Sequence, residues 1–361
     1  MAKINVGVIF GGVSTEHEVS RWSAVHVLRS LDKDLFTFTL FEISKSGELY
    51  AYDTGSGGMD FLCEEIVKIE NSIPKEKVYF STELVSRYSL DVVFPVLHGT
   101  GGEDGVLQGL LELFDIPYIG AGVTGSAIAF DKVITKELLK VRGIKQASYF
   151  VLTSDEIKGD IREKIDEAVE ILGYPIFVKP ANGGSSVGIF KAKDRTGLIK
   201  AVNEAARYDR KVILEESISG RELECAVIGG YSDVTALGVG EIVPCNEFYD
   251  YEAKYINEGS KVLVPADIED ETRDAIMEIA VDSFRYIECH GLARIDFFLG
   301  ENGVIYLNEI NTMPGFTKIS MYPKLWRHSG GSDSELITRL IDLAYERKNN
   351  YRFLKDYTRN E

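Results

Sequence analysis

The chain is poor in cysteine. Its four cysteines (Cys63, Cys225, Cys245 and Cys289) are scattered over 361 residues, without the close pairing of zinc or redox motifs. Buried, reduced thiols are the expectation, and with them a cytoplasmic setting. Basic residues are also in deficit, 40 Lys and Arg against 57 Asp and Glu, for a net charge of −17. A field of that sign repels duplex nucleic acid and anionic membrane surfaces, so neither is an expected partner. Long apolar runs are missing as well; nothing approaches the roughly 20 residues of a membrane span. The start, MAKINVGVIF, enters a strand pattern without a basic region and small-residue cleavage site, so no signal peptide is expected. Internal repeats and low-complexity tracts are absent. What remains is an ordinary globular composition, 45% hydrophobic and 27% charged, long enough for two or three domains. An anionic small substrate is still admissible, provided that a local cluster of Lys and Arg, usually with a divalent cation, receives it.

The first 120 residues alternate strand-like and helix-like runs. INVGVIF, FTFTLFEIS, LDVVFPVLH and IPYIG fit strands; STEHEVSRWSAVHVLRSL and GVLQGLLELF fit helices. Val19, Trp22, Val25, Leu28 and Leu31 share one helix face, and Val106, Leu110, Leu113 and Phe114 are expected to form another core face. The alternation predicts a mostly parallel, helix-covered sheet. Between 121 and 219, two helical runs (DKVITKELLKVRG and DIREKIDEAVEILG) accompany the strand candidates PIFVKP, VGIFKA and KVILEES. Beyond Gly220 strands dominate up to a long helix, IEDETRDAIMEIAVDSFRYIEC. A strand pair, LARIDFFL and VIYLNEIN, and a C-terminal helix close the chain. KEKVYFSTELVSRYS reads as solvated surface.

Several clusters carry chemistry. On a strand, side chains alternate faces, so Arg294 projects with Asp296, and Glu309 with Asn311. If the two strands are hairpin neighbours, three oxygen ligands and a guanidinium converge. Carboxylate and amide oxygens without His or Cys suit Mg²⁺ or Mn²⁺; a polar strand end is the alternative. VKPANGGSSVGIFKA places Lys179 before a glycine-rich loop whose N–H groups and Ser185 and Ser186 hydroxyls can donate to phosphate, although a simple Gly/Ser hairpin also fits. Lys132 in FDKVITK is a second candidate phosphate cation. KVILEESISGRELECAV offers a linker backbone for an adenine edge and Glu222 for ribose hydroxyls, or merely surface acids. NEFYDYEAKYINEGS (246–260) suits either a lid with Lys254 and Tyr255 turned inward or an ordinary surface loop. His98, in LHGTGGEDG, faces a substrate or simply satisfies a strand end. The opening FGGVSTEHEVS looks like a phosphate turn, yet Thr15 and Glu18 have capping-box spacing, which leaves Glu16 unexplained.

In this order the motifs GGVSTEHEVS, LHGTGGEDGVLQG, FDK, VKPANGGSSVGI, EESISGRE, FYDYEAKY, ARIDF and NEINTMPGFT resemble the ATP-grasp superfamily and, within it, the D-alanine–D-alanine ligases. The resemblance covers nearly the whole chain. It implies an α/β, three-domain ATP-grasp architecture. Residues 1–120 would be a Rossmann-like (preATP-grasp) parallel-sheet substrate domain, and 121–219 a central subdomain with the Gly/Ser phosphate loop. Residues 220–361 would form the C-terminal subdomain, with the lid 246–260 and the metal site. The implied reaction phosphorylates the carboxylate of one D-alanine with ATP, after which the amine of a second attacks the acyl phosphate. By the same resemblance, Asp296, Glu309 and Asn311 hold two Mg²⁺, with Mn²⁺ as a substitute. Lys132, Lys179, Ser185 and Ser186 contact the phosphates. Glu215, Glu222 and the Ser217–Ile218 backbone receive adenosine, and Lys254 reaches the γ-phosphate or the second substrate's carboxylate. Glu16 anchors the first ammonium and forms a triad with Ser185 and Tyr255. His98 lies near the first substrate, Ser320 near the second, and Arg294 with the Gly315 N–H stabilises the oxyanion. A homodimer is implied too.

Three positions depart from the family pattern: Arg21, Gly184 and Ile319. D-serine or D-lactate as second substrate, another ATP-grasp carboxylate–amine ligase and a non-enzymatic nucleotide-binding regulator are the competing readings. Retention of Tyr255 favours an amine nucleophile over lactate. The acidic patch would be lost in a regulator, and the YDYEAKY lid with Glu16 resembles this family rather than the superfamily at large.

Overall fold

The apolar run at Ile4 becomes the central strand of the first sheet because it is covered on both faces; Val6, Val8, Ile9 and Phe10 are all buried. In the computed structural model, which describes residues 2–56, 58–68, 71–243 and 261–357, this strand β1 (Ile4–Gly11) is flanked by β2 (Phe36–Ile43) and β5 (Val92–Pro95), both parallel to it. Antiparallel β3 (Leu49–Tyr52) and β4 (Lys75–Val78) extend the edge, giving the order β4-β3-β2-β1-β5. The parallel core is as expected; the antiparallel edge is not, since the segment of β4 reads as surface. Its Lys75, Glu76 and Lys77 are indeed exposed, but Val78 and the nearby Leu84 are buried. IPYIG forms no strand. It touches β5 through a single bridge, Val93 to Tyr118, before Gly120 turns the chain with φ +100°.

Two helix faces are also offset from their expected positions. In the helix His17–Ser30, Val19 and Leu28 are buried as predicted, as is Leu31 just beyond its end, while Trp22 is 39% exposed and Ala24 and Val27 pack in its place. In the helix Val106–Leu113, Val106 and Leu113 face out, and Leu107 and Leu111 are the buried pair. Leucine or valine lies at most positions there, so several three-and-four spacings exist and only packing selects one.

The second sheet is antiparallel, in the order β6-β9-β7-β8: β6 (Tyr149–Thr153), β7 (Ile176–Pro180), β8 (Phe190–Ala192) and β9 (Lys211–Glu216). Its core, including Leu152, Ile165, Val178, Val202 and Leu214, draws only on residues of this segment. The third sheet runs β12-β11-β10-β13-β14: β10 (Gly220–Gly229), β11 (Thr235–Val243), β12 (Lys261–Leu263), β13 (Gly291–Gly300) and β14 (Ile305–Asn311). One face of it packs on the helix Asp270–Tyr286 and on Ala129 and Leu139 from the helices that precede β6. The other shares a core with the first sheet: Ala226, Ile228 and Leu292 join Val6, Val8 and Phe10. The C-terminal helix Asp333–Tyr357 contributes Leu336, Ile337, Leu340 and Ile341 to that core. The glycine-rich loop after β7, the strand pair β13 and β14 and the opening turn therefore meet where the three sheets adjoin. Among the described residues, no helix is long and apolar enough to cross a membrane. Cys63, Cys225 and Cys289 are buried free thiols; Cys245 lies outside the described residues.

Candidate active site at the junction of three sheets

β13 and β14 are antiparallel neighbours, with Arg294 opposite Asn311 and Asp296 opposite Glu309. The pairing turns two sequence motifs into one patch. Arg294 lays Nε and Nη2 on Asp296 at 2.7 and 2.6 Å, and Asn311 Nδ2 donates to the same carboxylate at 3.0 Å. Glu224, on β10, stands 3.3 Å from Arg294 Nε. Burial opposes the charge on Arg294, but Asp296 and Glu224 hold its pKa well above the ordinary arginine value. Lys132 Nζ lies 3.6 Å from Glu309 and donates to Gly183 O at 2.8 Å, so it joins the acidic patch to the glycine-rich loop. Asp131 caps its helix by accepting from the N–H groups of Val133 and Ile134.

Lys179 is held differently. Its ammonium is 2.5 Å from Glu215 Oε2, whose other oxygen lies 2.7 Å from Lys136 Nζ. Burial works to raise the Glu215 carboxyl, yet the two lysines hold its pKa down at about 2. Lys179 likewise keeps its charge against burial, and its pKa stays above the ordinary lysine value. Lys136 is not among the residues that the sequence motifs single out, although it stands one helical turn after Lys132. Both Glu215 oxygens face lysines. Ser217 and Ile218 form the link between β9 and β10, and Glu222 follows on β10.

The loop after β7 reaches the opening turn. Ser185 and Ser186 adopt left-handed backbone angles, φ 46° and 59°. Ser185 Oγ donates to Glu16 Oε1, linking two stretches 169 residues apart. Glu16 is 7% exposed. A Cβ on Gly184 would stand 2.7 Å from Glu16 Oε2, and one on Gly99 2.8 Å from the same oxygen. The departure at Gly184 thus has a local reason: a bulkier residue would displace the carboxylate. The capping box is not formed, for Glu18 pairs with Lys45 at 2.6 Å and Glu16 N donates to Ser14 Oγ at 3.2 Å. Arg21, the second departure, is buried 3.8 Å from Glu42. Ile319, the third, is 71% exposed.

His98 lines the same region with both ring nitrogens occupied, Nδ1 2.9 Å from Met313 O and Nε2 3.0 Å from Ser23 Oγ. Burial lowers its pKa, so the neutral imidazole is favoured. Gly315 passes beside Ser320 (a Cβ there would be 3.1 Å from its Oγ), and that hydroxyl accepts from Thr317 N at 3.0 Å. Glu103 is a further acid, half-buried, inside the very motif that carries His98, and sequence pattern does not mark it. Burial, then the charge of Glu16, pushes its carboxyl up to about 8. Lys254 and Tyr255, with the rest of 246–260, lie outside the described residues.

Residues 5–121 match the family described as D-ala D-ala ligase N-terminus, and residues 138–342 the one described as D-ala D-ala ligase C-terminus. The chain belongs to the D-alanine–D-alanine ligase family. Within this family it is 48% identical to the D-alanine–D-alanine ligase of Acetivibrio thermocellus, over 98% of this chain and 99% of that one. It is 46% identical to the corresponding ligase of Natranaerobius thermophilus, over 96% of each. Among solved structures, the Coxiella burnetii D-alanine–D-alanine ligase superposes with a TM-score of 0.83 at 34% identity, over 99% of this chain and all of that one. The VanG D-Ala:D-Ser ligase of Enterococcus faecalis also reaches 0.83, at 35% identity over 95% of this chain and all of its own.

Proposed function

We propose that the protein joins two molecules of D-alanine, using ATP and passing through an acyl phosphate, to make the D-alanyl-D-alanine of peptidoglycan precursors. The observation that carries this reading is the patch where Arg294, Asp296, Glu309 and Asn311 meet, with Lys132 bridging to the glycine-rich loop. A carboxylate is a poor acyl donor, and its activation by ATP is a problem of positioning and of charge neutralisation. The all-oxygen set Asp296, Glu309 and Asn311 fits Mg²⁺, two ions per site with Mn²⁺ as substitute, which when bound would offset charge on the ATP phosphates. Lys132, Lys179, Ser185 and Ser186 take the phosphates. Adenosine lies along Glu215, Ser217, Ile218 and Glu222, with Glu215 holding Lys179 in place. Glu16, steadied by Ser185 Oγ, anchors the ammonium of the first D-alanine. That leaves its carboxylate to accept the γ-phosphoryl group.

The second D-alanine is held through its carboxylate by Ser320 and Lys254. Its amine attacks the acyl carbon, and the oxygen that becomes negative is met by Arg294 and the Gly315 N–H, donors of a kind worth a few kcal/mol each, on the order of 3. Phosphate then leaves. Tyr255 closes the lid onto Glu16 and Ser185. A homodimer accompanies this reading; light scattering tests it.

The resemblance to VanG favours a second reading in which D-serine is the second substrate, because one hydroxyl is a small free-energy difference in such a pocket. Phosphate release from ATP, measured with D-alanine alone and then with D-serine or D-lactate competing, separates the readings. Release dependent on D-alanine and Mg²⁺ is expected; none with any D-amino or D-hydroxy acid would refute both. Glu309→Gln should lower kcat about 100-fold or more by weakening metal coordination, and near-normal turnover would remove Glu309 from the metal set.

A further inference from the structure

Glu103 reaches two loops from opposite ends of the chain. Its Oε2 accepts from Gly99 N at 2.6 Å and its Oε1 from Met313 N at 3.1 Å. Gly99 is the residue whose Cα backs Glu16 Oε2, and Met313 lies two residues before Gly315. The second loop is fixed at two further points, to the loop after β5 and to the helix His17–Ser30. Met313 O faces His98 Nδ1, and Phe316 N donates to Ser23 Oγ at 3.3 Å. One carboxyl group therefore joins the backbone behind the amine anchor to the backbone that carries the oxyanion donor.

We propose that Glu103 is a positioning residue for the acyl-transfer step, bridging Gly99 N–H and Met313 N–H so that the first substrate's anchor at Glu16 and the oxyanion donor at Gly315 keep a fixed separation. The proposal rests on the function given above, and it assigns Glu103 no contact with substrate. A group held between two backbone donors transmits its own displacement to both loops, and misplacement of about 1 Å at a reacting centre costs on the order of 100-fold in rate. The substitution Glu103→Gln keeps the side-chain length but leaves one acceptor oxygen, and the new amide NH₂ confronts the other backbone N–H.

The test uses the full-length enzyme with Glu103→Gln and Glu103→Ala. Three quantities are compared: kcat, KM for ATP, and affinity for a phosphinate dipeptide that mimics the tetrahedral intermediate. Melting temperature is followed in parallel. For Glu103→Gln, kcat should fall about 10-fold and phosphinate affinity should fall with it, while KM for ATP stays within about twofold. For Glu103→Ala the loss should approach about 100-fold. The isosteric Glu103→Gln variant carries the comparison if the alanine variant does not fold. Phosphinate affinity unchanged in a folded variant, or activity lost only in proportion to unfolded protein, overturns the proposal. D-alanine-dependent turnover of the unmodified enzyme is the control. Its failure overturns the functional reading and this inference together, whereas a failure confined to the Glu103 variants' expected pattern overturns the inference alone.

Discussion

Glu16 shows how narrowly one carboxylate can be housed. Ser185 Oγ binds one oxygen, and the other is backed by the bare Cα atoms of Gly99 and Gly184. Gly184→Ala would place a methyl 2.7 Å from Glu16 Oε2, inside contact distance. The carboxylate would rotate away, so the first-subsite KM for D-alanine should rise about tenfold while KM for ATP holds; steady-state kinetics with each substrate varied checks the split. Glu42 is the contrasting case, an acid remote from the patch. Burial would raise its carboxyl, but the nearby His17 ring, 3.7 Å away, and hydrogen bonds from Lys75 and Tyr52 hold its pKa down at about 2. A carboxyl whose pKa is depressed by folding stabilises the fold above its unfolded pKa, here taken as 4.5. That contribution is lost as pH falls through the folded value. Glu42→Gln should therefore remove about one proton from the uptake that accompanies acid unfolding between those limits, measured as the slope of stability against pH.

At the scale of elements, the helix Val106–Leu113 separates pattern from packing. Leu111→Ala should cost about 2–5 kcal/mol, because Leu111 is fully buried in the core of the first sheet. Leu113→Ala, at a position 82% exposed, should stay within about 0.5 kcal/mol. Denaturant unfolding of both variants settles which face is inside. The same contrast explains what can be read from residue order. β13 and β14 are legible because charged residues alternate with Ile, Leu and Phe in a period only a strand provides. The trace of β4 is illegible, since an edge strand in KEKV carries its charges outward and looks like surface. Lys136 and Glu103 stay hidden for another reason. Their partners Glu215 and Met313 are distant in sequence, and nothing local marks a carboxylate that will be shared.

In the whole molecule, the three sheets are not covered alike. The second sheet packs entirely on residues of its own segment, whereas the first and third share one core with the C-terminal helix. Hydrogen exchange should find the amides of β6, β7 and β9 opening as one unit while those of β1 and β2 stay protected. A single common opening for all of them would show that the second sheet has no independent stability. The tie between Gly183 O and Lys132 and that between Ser185 and Glu16 are then among the points where this unit is fastened to the rest, with Lys136 on Glu215.

The shared core also bears on how the protein is made. Val6, Val8 and Phe10 leave the ribosome long before Leu336, Ile337, Leu340 and Ile341, which help to cover the same core. During synthesis the helices bearing Val27, Leu28, Leu62 and Ile66 can cover part of the first sheet early, but the part closed by the C-terminal helix stays open until nearly the whole chain has been translated, whereas the self-contained second sheet can pack as soon as it emerges. The order of completion thus runs from the middle of the chain outward, and the nascent protein's exposure to chaperones falls chiefly on its N-terminal sheet.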